Sequence, residues 1–250
     1  MKIYLTGSSG FVGSSFKNTF SKSDIVIYKY NNFSELFFSE VVLHLAGKST
    51  YLKETSNSDE YYQVNTELTK IIFDAFLASD AKVFITLSSV KAVADEVPGV
   101  LTEEYIPDPI THYGKSKLLA EQYILSKEIP IGKRVYVLRP CMIYGPGNKG
   151  NLNLLYKLVS KGIPWPLGMF DNKRSFCSID NLMFIIKELI ERDDIASGIY
   201  NVADDLPLST NDVISILSES QMKKISIWHL SKGLVHFVAK LGNLLKLPLN

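Results

Sequence analysis

Three glycines spaced three apart, Gly7, Gly10 and Gly13, stand between an apolar stretch at residues 2–6 and a run at 14–20 whose Phe16 and Phe20 share one helical face. The order reads as strand, tight turn, helix. The glycines permit the turn and let the backbone come close to a pyrophosphate. The helix N-terminus behind them offers unpaired N–H groups and the positive end of its dipole. A glycine-rich turn with no ligand is the plain alternative. The strand before it and the helix after it favour a dinucleotide site.

The same alternation continues. Further strands are expected at 25–30, 41–46, 82–87 and 134–139, with helices at 33–40, 61–78 and 113–126. Alternating strands and helices imply a parallel sheet covered on both faces. Right-handed crossovers then give an α/β fold with a Rossmann-type doubly wound sheet. After Pro140 the alternation turns irregular, with loop-rich segments at Tyr144-Gly145-Pro146-Gly147 and at 163–168. Residues 1–140 are therefore expected to form the dinucleotide-binding domain. Residues 141–250 are expected to form mainly a smaller C-terminal substrate-binding lobe, with room for elements that return to the sheet.

Composition excludes several classes. A chain of 250 residues can bury a core without disulfides or a structural metal. Its 27 basic and 26 acidic residues nearly cancel, and no basic block points to nucleic acid. Cys141 and Cys177 are too few for a disulfide framework, and His44, His112, His229 and His236 show no metal-ligand spacing. No apolar run approaches the roughly 18 residues of a membrane span, and the chain opens on a strand rather than a signal peptide. A soluble, cytoplasmic protein without metal, nucleic acid or membrane partner is the expectation, with a homodimer left open.

Two further groups carry chemistry. Tyr113 and Lys117 lie four apart on an expected helix, so they share a face, and the ammonium can lower the phenol pKa. A phenol so tuned can act as general acid or base on a hydroxyl or carbonyl. From spacing alone a solvated helix face is the commoner outcome. Ser88 and Ser89 close an expected strand, where open α/β sheets place their sites; a turn or cap serine is the alternative. The second strand ends near Lys29, and no Asp or Glu lies between 25 and 34. A basic residue there suits the extra phosphate of NADP, whereas an acid would select NAD. The alternative is a solvated loop lysine.

Thr6-Gly7-x-x-Gly10-x-x-Gly13, His44-Leu45-Ala46-Gly47, Val64-Asn65, Ser88-Ser89 and Tyr113-x-x-x-Lys117 occur in this order, followed by Leu138-Arg139-Pro140, Tyr144-Gly145-Pro146-Gly147 and Arg174 to Leu182. The set resembles the extended short-chain dehydrogenase/reductases, and within them the NAD-dependent epimerase/dehydratase family that acts on nucleotide sugars. The resemblance implies catalytic roles for Ser89, Tyr113 and Lys117. It implies cofactor contacts at Gly7, Gly10, Phe11, Val12, Gly13, Leu45, Ala46, Gly47, Ser88 and Pro140, a bracing role for Asn65, and further cofactor contacts from Tyr113 and Lys117. Asn151 and Arg174 would meet the substrate diphosphate, arginine because its planar fork matches phosphate oxygens. For Arg174 a surface salt bridge is the alternative. His44 is expected to be a buried hydrogen-bonded histidine rather than a base. Cys141 is expected to be a small buried residue, and Trp165 to pack on the nucleotide base or close the lobe.

Three departures from the family pattern sharpen this. Only about ten residues separate Tyr30 from Val41, so an edge strand is expected to be missing and the adenine side open. Val90-Lys91 follow Ser89 where dehydratases carry an acidic pair, which argues against dehydration. The chain closes at Asn250, soon after an amphipathic run at 234–247, so a shortened C-terminal lobe is expected. What the resemblance implies is hydride transfer at carbon 4 of a nucleotide sugar, used in polysaccharide biosynthesis. A 4-keto-sugar reductase using NADP, or else NAD, is preferred. A UDP-sugar 4-epimerase is the alternative, and a non-catalytic NAD(P)-binding sensor ranks below both.

Overall fold

The structure is a computed structural model that describes residues 1–20, 25–27, 34–49, 58–148, 150, 152–170, 172–231 and 233–235. Its strands are β1 (Ile3–Thr6), β2 (Ile25–Ile27), β3 (Val41–His44), β4 (Val83–Leu87), β5 (Arg134–Pro140), β6 (Met142–Tyr144), β7 (Phe176–Ser178) and β8 (Gly198–Val202). Its helices are α1 (Phe11–Thr19), α2 (Ser34–Phe37), α3 (Asp59–Tyr61), α4 (Leu68–Ala78), α5 (His112–Leu125), α6 (Leu152–Ser160), α7 (Ile179–Glu191) and α8 (Thr210–Ser220). A π-helical segment, Tyr62–Glu67, joins α3 to α4, and a 3₁₀ turn, Val90–Ala92, follows β4.

Six strands form one parallel sheet in the order β2-β1-β3-β4-β5-β8. This is the doubly wound parallel architecture that the strand–helix alternation implies. Period-two alternation sorts its side chains onto two faces. Ile3, Leu5, Val41, Leu43, Val83, Ile85, Tyr136 and Leu138 pack with Phe16 of α1 and with Leu182 and Ile186 of α7. Tyr4, Val42, Phe84, Val135 and Val137 pack with Phe73 and Phe76 of α4 and Ile124 of α5. Burial on both faces explains why these strands read as continuous apolar runs. Among the described residues no strand lies beyond β2, so this edge carries one strand outside β1. The remainder of the expected strand at 25–30, and residues 236–247 of the amphipathic run, fall outside the described residues.

The chain divides into two compact units. One holds 1–148 and 177–204, so α7 and β8 belong with the parallel sheet. The other holds 149–176 and 205–250. Within the second unit, Arg174 pairs with Leu208 through both backbone bonds, at 3.0 and 2.9 Å. The Trp165 indole N–H donates to Asn211 Oδ1 at 3.0 Å, which makes Trp165 an internal tie of this unit. Ser209 and Asp212 form a reciprocal capping box at the start of α8.

Candidate active site

Because β1, β3, β4 and β5 are parallel, the segments that follow them emerge at one edge of the sheet. The loop after β1 turns at Gly7, whose φ of +70° is the left-handed conformation that favours glycine. A Cβ on Gly7 would lie 2.5 Å from the backbone of Leu45 and Ala46, and one on Gly13 would lie 2.2 Å from Gly7 O. Both glycines thus let backbone pack on backbone. Gly10 differs: it is exposed, and the nearest atom to an added Cβ is Gly7 O at an ordinary 3.4 Å. Gly10 caps α1 with no side-chain bond, and no acidic residue occupies the first turn. The N–H groups there are left to an anion. This bare, side-chain-free cradle fits a pyrophosphate.

Thr6 and His44 anchor the neighbouring loop. Ala46 N–H donates to Thr6 Oγ1 at 3.1 Å, and Thr6 Oγ1 lies 2.7 Å from His44 Nδ1. On the far side of the ring, His44 Nε2 lies 2.9 Å from Thr69 Oγ1, whose single proton is given to Asn65 O at 2.8 Å. Donor counting therefore puts the imidazole proton on Nε2 and makes Nδ1 the acceptor from Thr6. Burial, with the Lys117 charge adding to it, holds His44 down at about 3. It is a neutral strut.

Asn65 sits in the π-helical segment with no exposure. Its Oδ1 accepts from Lys48 N at 2.8 Å, while its Nδ2 donates to Lys48 O and to Ser116 Oγ, both at 3.0 Å. Thr66 Oγ1 adds a bond to Ser116 O at 2.8 Å. A π-bulge re-aims neighbouring side chains without ending a helix, and here it lets Asn65 and Thr66 grip α5. Apolar spacing at 61–78 predicted the helix but carried no sign of the bulge.

The loop after β4 brings up Ser88 and Ser89, both buried. Ser89 Oγ accepts from Lys91 N at 3.2 Å and caps the 3₁₀ turn. Gly114 lets α5 close on that turn, since a Cβ there would lie 2.3 Å from Lys91 O. Tyr113 thus stands within hydrogen-bonding reach of the Ser89 hydroxyl. Burial pushes the Tyr113 phenol up; the Ser89 bond pulls it back in part, and Tyr61, edge-on at 6.2 Å, adds to the rise. In this structure Lys117 does not set the Tyr113 pKa. Its Nζ donates to Leu87 O at 2.8 Å and lies beneath Gly47, 3.0 Å from where a Cβ would stand. Burial lowers Lys117 to about 8, against an opposing pull from Glu121.

Ser89, Tyr113, Lys117, Ser88 and the Leu45-Ala46-Gly47 loop therefore meet at one edge, all within the first unit. The family model of the NAD dependent epimerase/dehydratase family matches residues 3–203. The chain belongs to this family. Relatives of this chain include NAD(P)-dependent epimerases and reductases of nucleotide sugars. The chain is 31% identical over 246 residues to a UDP-glucose 4-epimerase of Vibrio cholerae, covering 86% of this chain and 74% of that one. It is 25% identical over 251 residues to a GDP-6-deoxy-D-mannose reductase of Pseudomonas aeruginosa, covering 90% and 82%. Among solved structures, MoeE5 in complex with UDP-glucose and NAD superposes with a TM-score of 0.77 at 21% identity, over 92% of this chain and 85% of that one.

The other positions singled out in the sequence are placed as follows. In this epimerase/dehydratase chain Phe11 and Val12 pack on the core at the start of α1, and Pro140 ends β5 opposite Val202. Arg174 is exposed in the second unit and makes no ion pair among the described residues. Lys29 and Asn151 lie outside the described residues. Cys177 is buried, and burial pushes its thiol up to about 12, so it is inert. Among the described residues no cluster of three metal-binding side chains occurs, and no helix is long and apolar enough to cross a membrane. Sequence reasoning gave no site role to Tyr61 or Glu121, nor to Thr6 and Arg139, although the last two stand in the motifs that carry the resemblance. For Glu121 a signal existed, since it stands four residues after Lys117.

Proposed function

We propose that this chain reduces the 4-keto group of a nucleotide-linked hexose. The observation that carries the reading is Tyr113. The phenol is protonated at neutral pH, burial pushing its pKa further up, and it stands within reach of Ser89, so the pair is set to give a proton to a substrate oxygen. Ser89 Oγ orients that oxygen, and Tyr113 Oη donates to it as it gains negative charge. Gly7, Gly10, Phe11, Val12 and Gly13 hold the pyrophosphate of the cofactor, Leu45, Ala46 and Gly47 border its adenosine side, and Ser88 and Pro140 line the nicotinamide pocket. A nicotinamide dinucleotide bound there supplies the hydride to the sugar carbon. Lys117 holds the nicotinamide ribose, and Lys29 takes the extra phosphate of NADP. Asn151 and Arg174 bind the substrate diphosphate.

A second reading is a UDP-sugar 4-epimerase, in which the same residues move the proton off carbon 4's oxygen and back. The 31% identity to the Vibrio cholerae epimerase supports it. The protein purified with its native cofactor separates the two. Co-purifying NAD and interconversion of UDP-hexose epimers without added reductant would defeat the reductase reading. Consumption of NADPH only with a 4-keto sugar would uphold it. Under either reading Tyr113→Phe should lower turnover by about 10²–10⁴ while leaving dinucleotide affinity within a few fold. Full turnover in that variant removes Tyr113 from the chemistry.

A further inference from the structure

Behind Lys117 lies a charged pair that the proton transfer proposed above does not use. Glu121 is the next residue along the same face of α5, four positions on, where an ion pair with Lys117 would ordinarily form. Arg139 comes from β5. Val135 and Val137 of that strand pack on the α4 and α5 side, so alternation puts Arg139 on that side too. The two side chains are almost fully enclosed, with 2% of Glu121 and 4% of Arg139 exposed. Arg139 Nε donates to Glu121 Oε1 at 2.9 Å and Nη2 to Oε2 at 2.5 Å. Lys117 and Glu121 both line a small cavity, together with Asn65 and Ser88. Lys117 forms no ion pair with Glu121; its Nζ goes to Leu87 O instead.

We infer that Arg139 is a positioning residue for Lys117: by engaging both oxygens of Glu121 it denies the lysine that ion pair and leaves Nζ held at Leu87 O beneath Gly47. The bidentate fork is suited to this, because it uses the carboxylate from both sides. The buried trio Lys117, Glu121 and Arg139 carries a net charge of about +1. Other titratable groups nearby do not compete for the lysine. His44 on β3 is neutral, Lys48 pairs with Glu60, Lys91 pairs with Asp95, and Tyr61 stands against Tyr113. With Arg139 gone, Glu121 is free to draw the ammonium down the helix and away from the cofactor loop.

The inference rests on the reading that Lys117 belongs to the working set, and its test does not depend on turnover alone. The titration of Lys117 is followed in the folded protein by carbon NMR of the lysine Cε, with Lys117→Met identifying the resonance. Arg139→Met should raise the Lys117 titration by about one pH unit or more, because a free carboxylate then faces it. Turnover should fall about tenfold with little change in KM for the sugar, since a displaced ammonium affects the reaction rather than substrate binding. Glu121→Gln should move the Lys117 titration downward. The double variant Glu121→Gln, Arg139→Met should return turnover toward wild type, because nothing is left to draw the lysine away. Removing one partner leaves a buried charge and destabilises the protein. If Arg139→Met does not fold, Glu121→Gln and the double variant carry the test. A purely structural pair would lower thermal stability and leave the Lys117 titration unmoved, and that outcome overturns the inference. If Tyr113→Phe keeps its turnover while Lys117 shifts as stated, the proposed function falls and this inference stands.

Discussion

The glycine loop after β1 and the helix carrying Tyr113 and Lys117 serve the same edge of the sheet, yet they are built by opposite means. The loop is made by leaving side chains out. Gly7 and Gly13 let backbone touch backbone, and Gly10 leaves the N-terminus of α1 bare. The helix is made by burying polar side chains and giving each a partner. Lys117 goes to Leu87 O, Glu121 to Arg139, Ser116 to Asn65, and the Ser89 hydroxyl faces Tyr113. The first kind of site fails when an atom is added. The second kind fails when one partner is removed, and its residues need not be placed for stability.

The largest effect expected from this contrast is at the third glycine. Gly13→Ala sets a Cβ 2.2 Å from Gly7 O, backbone against backbone, so nothing flexible can yield. A loss of about 3 kcal/mol or more is expected in chemical denaturation, with dinucleotide binding lost by at least about a hundredfold. Gly10→Ala is its counterpart. There the Cβ has room on the protein side, so stability should stay within about 1 kcal/mol, and only dinucleotide affinity should fall. Equal destabilisation by the two substitutions would show that the loop is a packing device throughout and not a cradle.

The contrast also explains what could be read from the chain. The loop is local: seven consecutive residues carry the turn, the bare cap and the helix start, so glycine spacing predicts all three. The two-faced sheet was legible for the same reason, because continuous apolar strands mark burial on both sides. The setting of α5 is not local. Spacing places Lys117 beside Tyr113 and suggests that the ammonium lowers the phenol. In the fold, burial of the phenol dominates and the lysine is turned to Leu87 O. Arg139 reaches Glu121 from a strand 18 residues on, and Asn65 reaches Ser116 across 51 residues. No periodicity encodes such pairings. The return of β8 to the sheet was likewise only allowed for by the sequence, since β5 and β8 are separated by an entire excursion through the second unit.

A second expectation follows for the helix region, and its sign is the opposite of the glycine's. Lys117 is held at about 8 in the fold against 10.5 when free, so burial of its charge works against folding near neutral pH. Lys117→Met should therefore raise stability there by about 2 kcal/mol, after allowing for the lost bond to Leu87 O. The pH dependence fixes the cause. Between about 8 and 10.5 the unfolded chain holds the Lys117 proton while the native protein has released it. Native stability therefore rises with pH across that window relative to the variant, and the gap between the two should close. Unfolding curves collected from neutral to alkaline pH read this directly. A gap that persists unchanged above pH 10.5 would mean that the methionine packs better, with no buried charge involved.

The smallest effect serves as the control for that sign. Lys133 is only half-buried; burial lowers its pKa as it does that of Lys117, but it lies away from the cradle and is fully employed. Its Nζ donates to Phe76 O at 3.0 Å and to Ser79 O and Ala81 O, both at 2.6 Å, around the C-terminus of α4. The cation satisfies carbonyls that the ending helix leaves unpaired and meets the negative end of its dipole. Lys133→Met should thus lower stability, by about 1–2 kcal/mol, and leave turnover per folded molecule unchanged. Two lysines of one protein would then respond to the same substitution in opposite directions. Lys117 is kept in spite of its effect on stability and Lys133 because of it. If both substitutions were destabilising by similar amounts, Lys117 would be as structural as Lys133, and the division between a cradle made by omission and a helix built from strained charges would not hold.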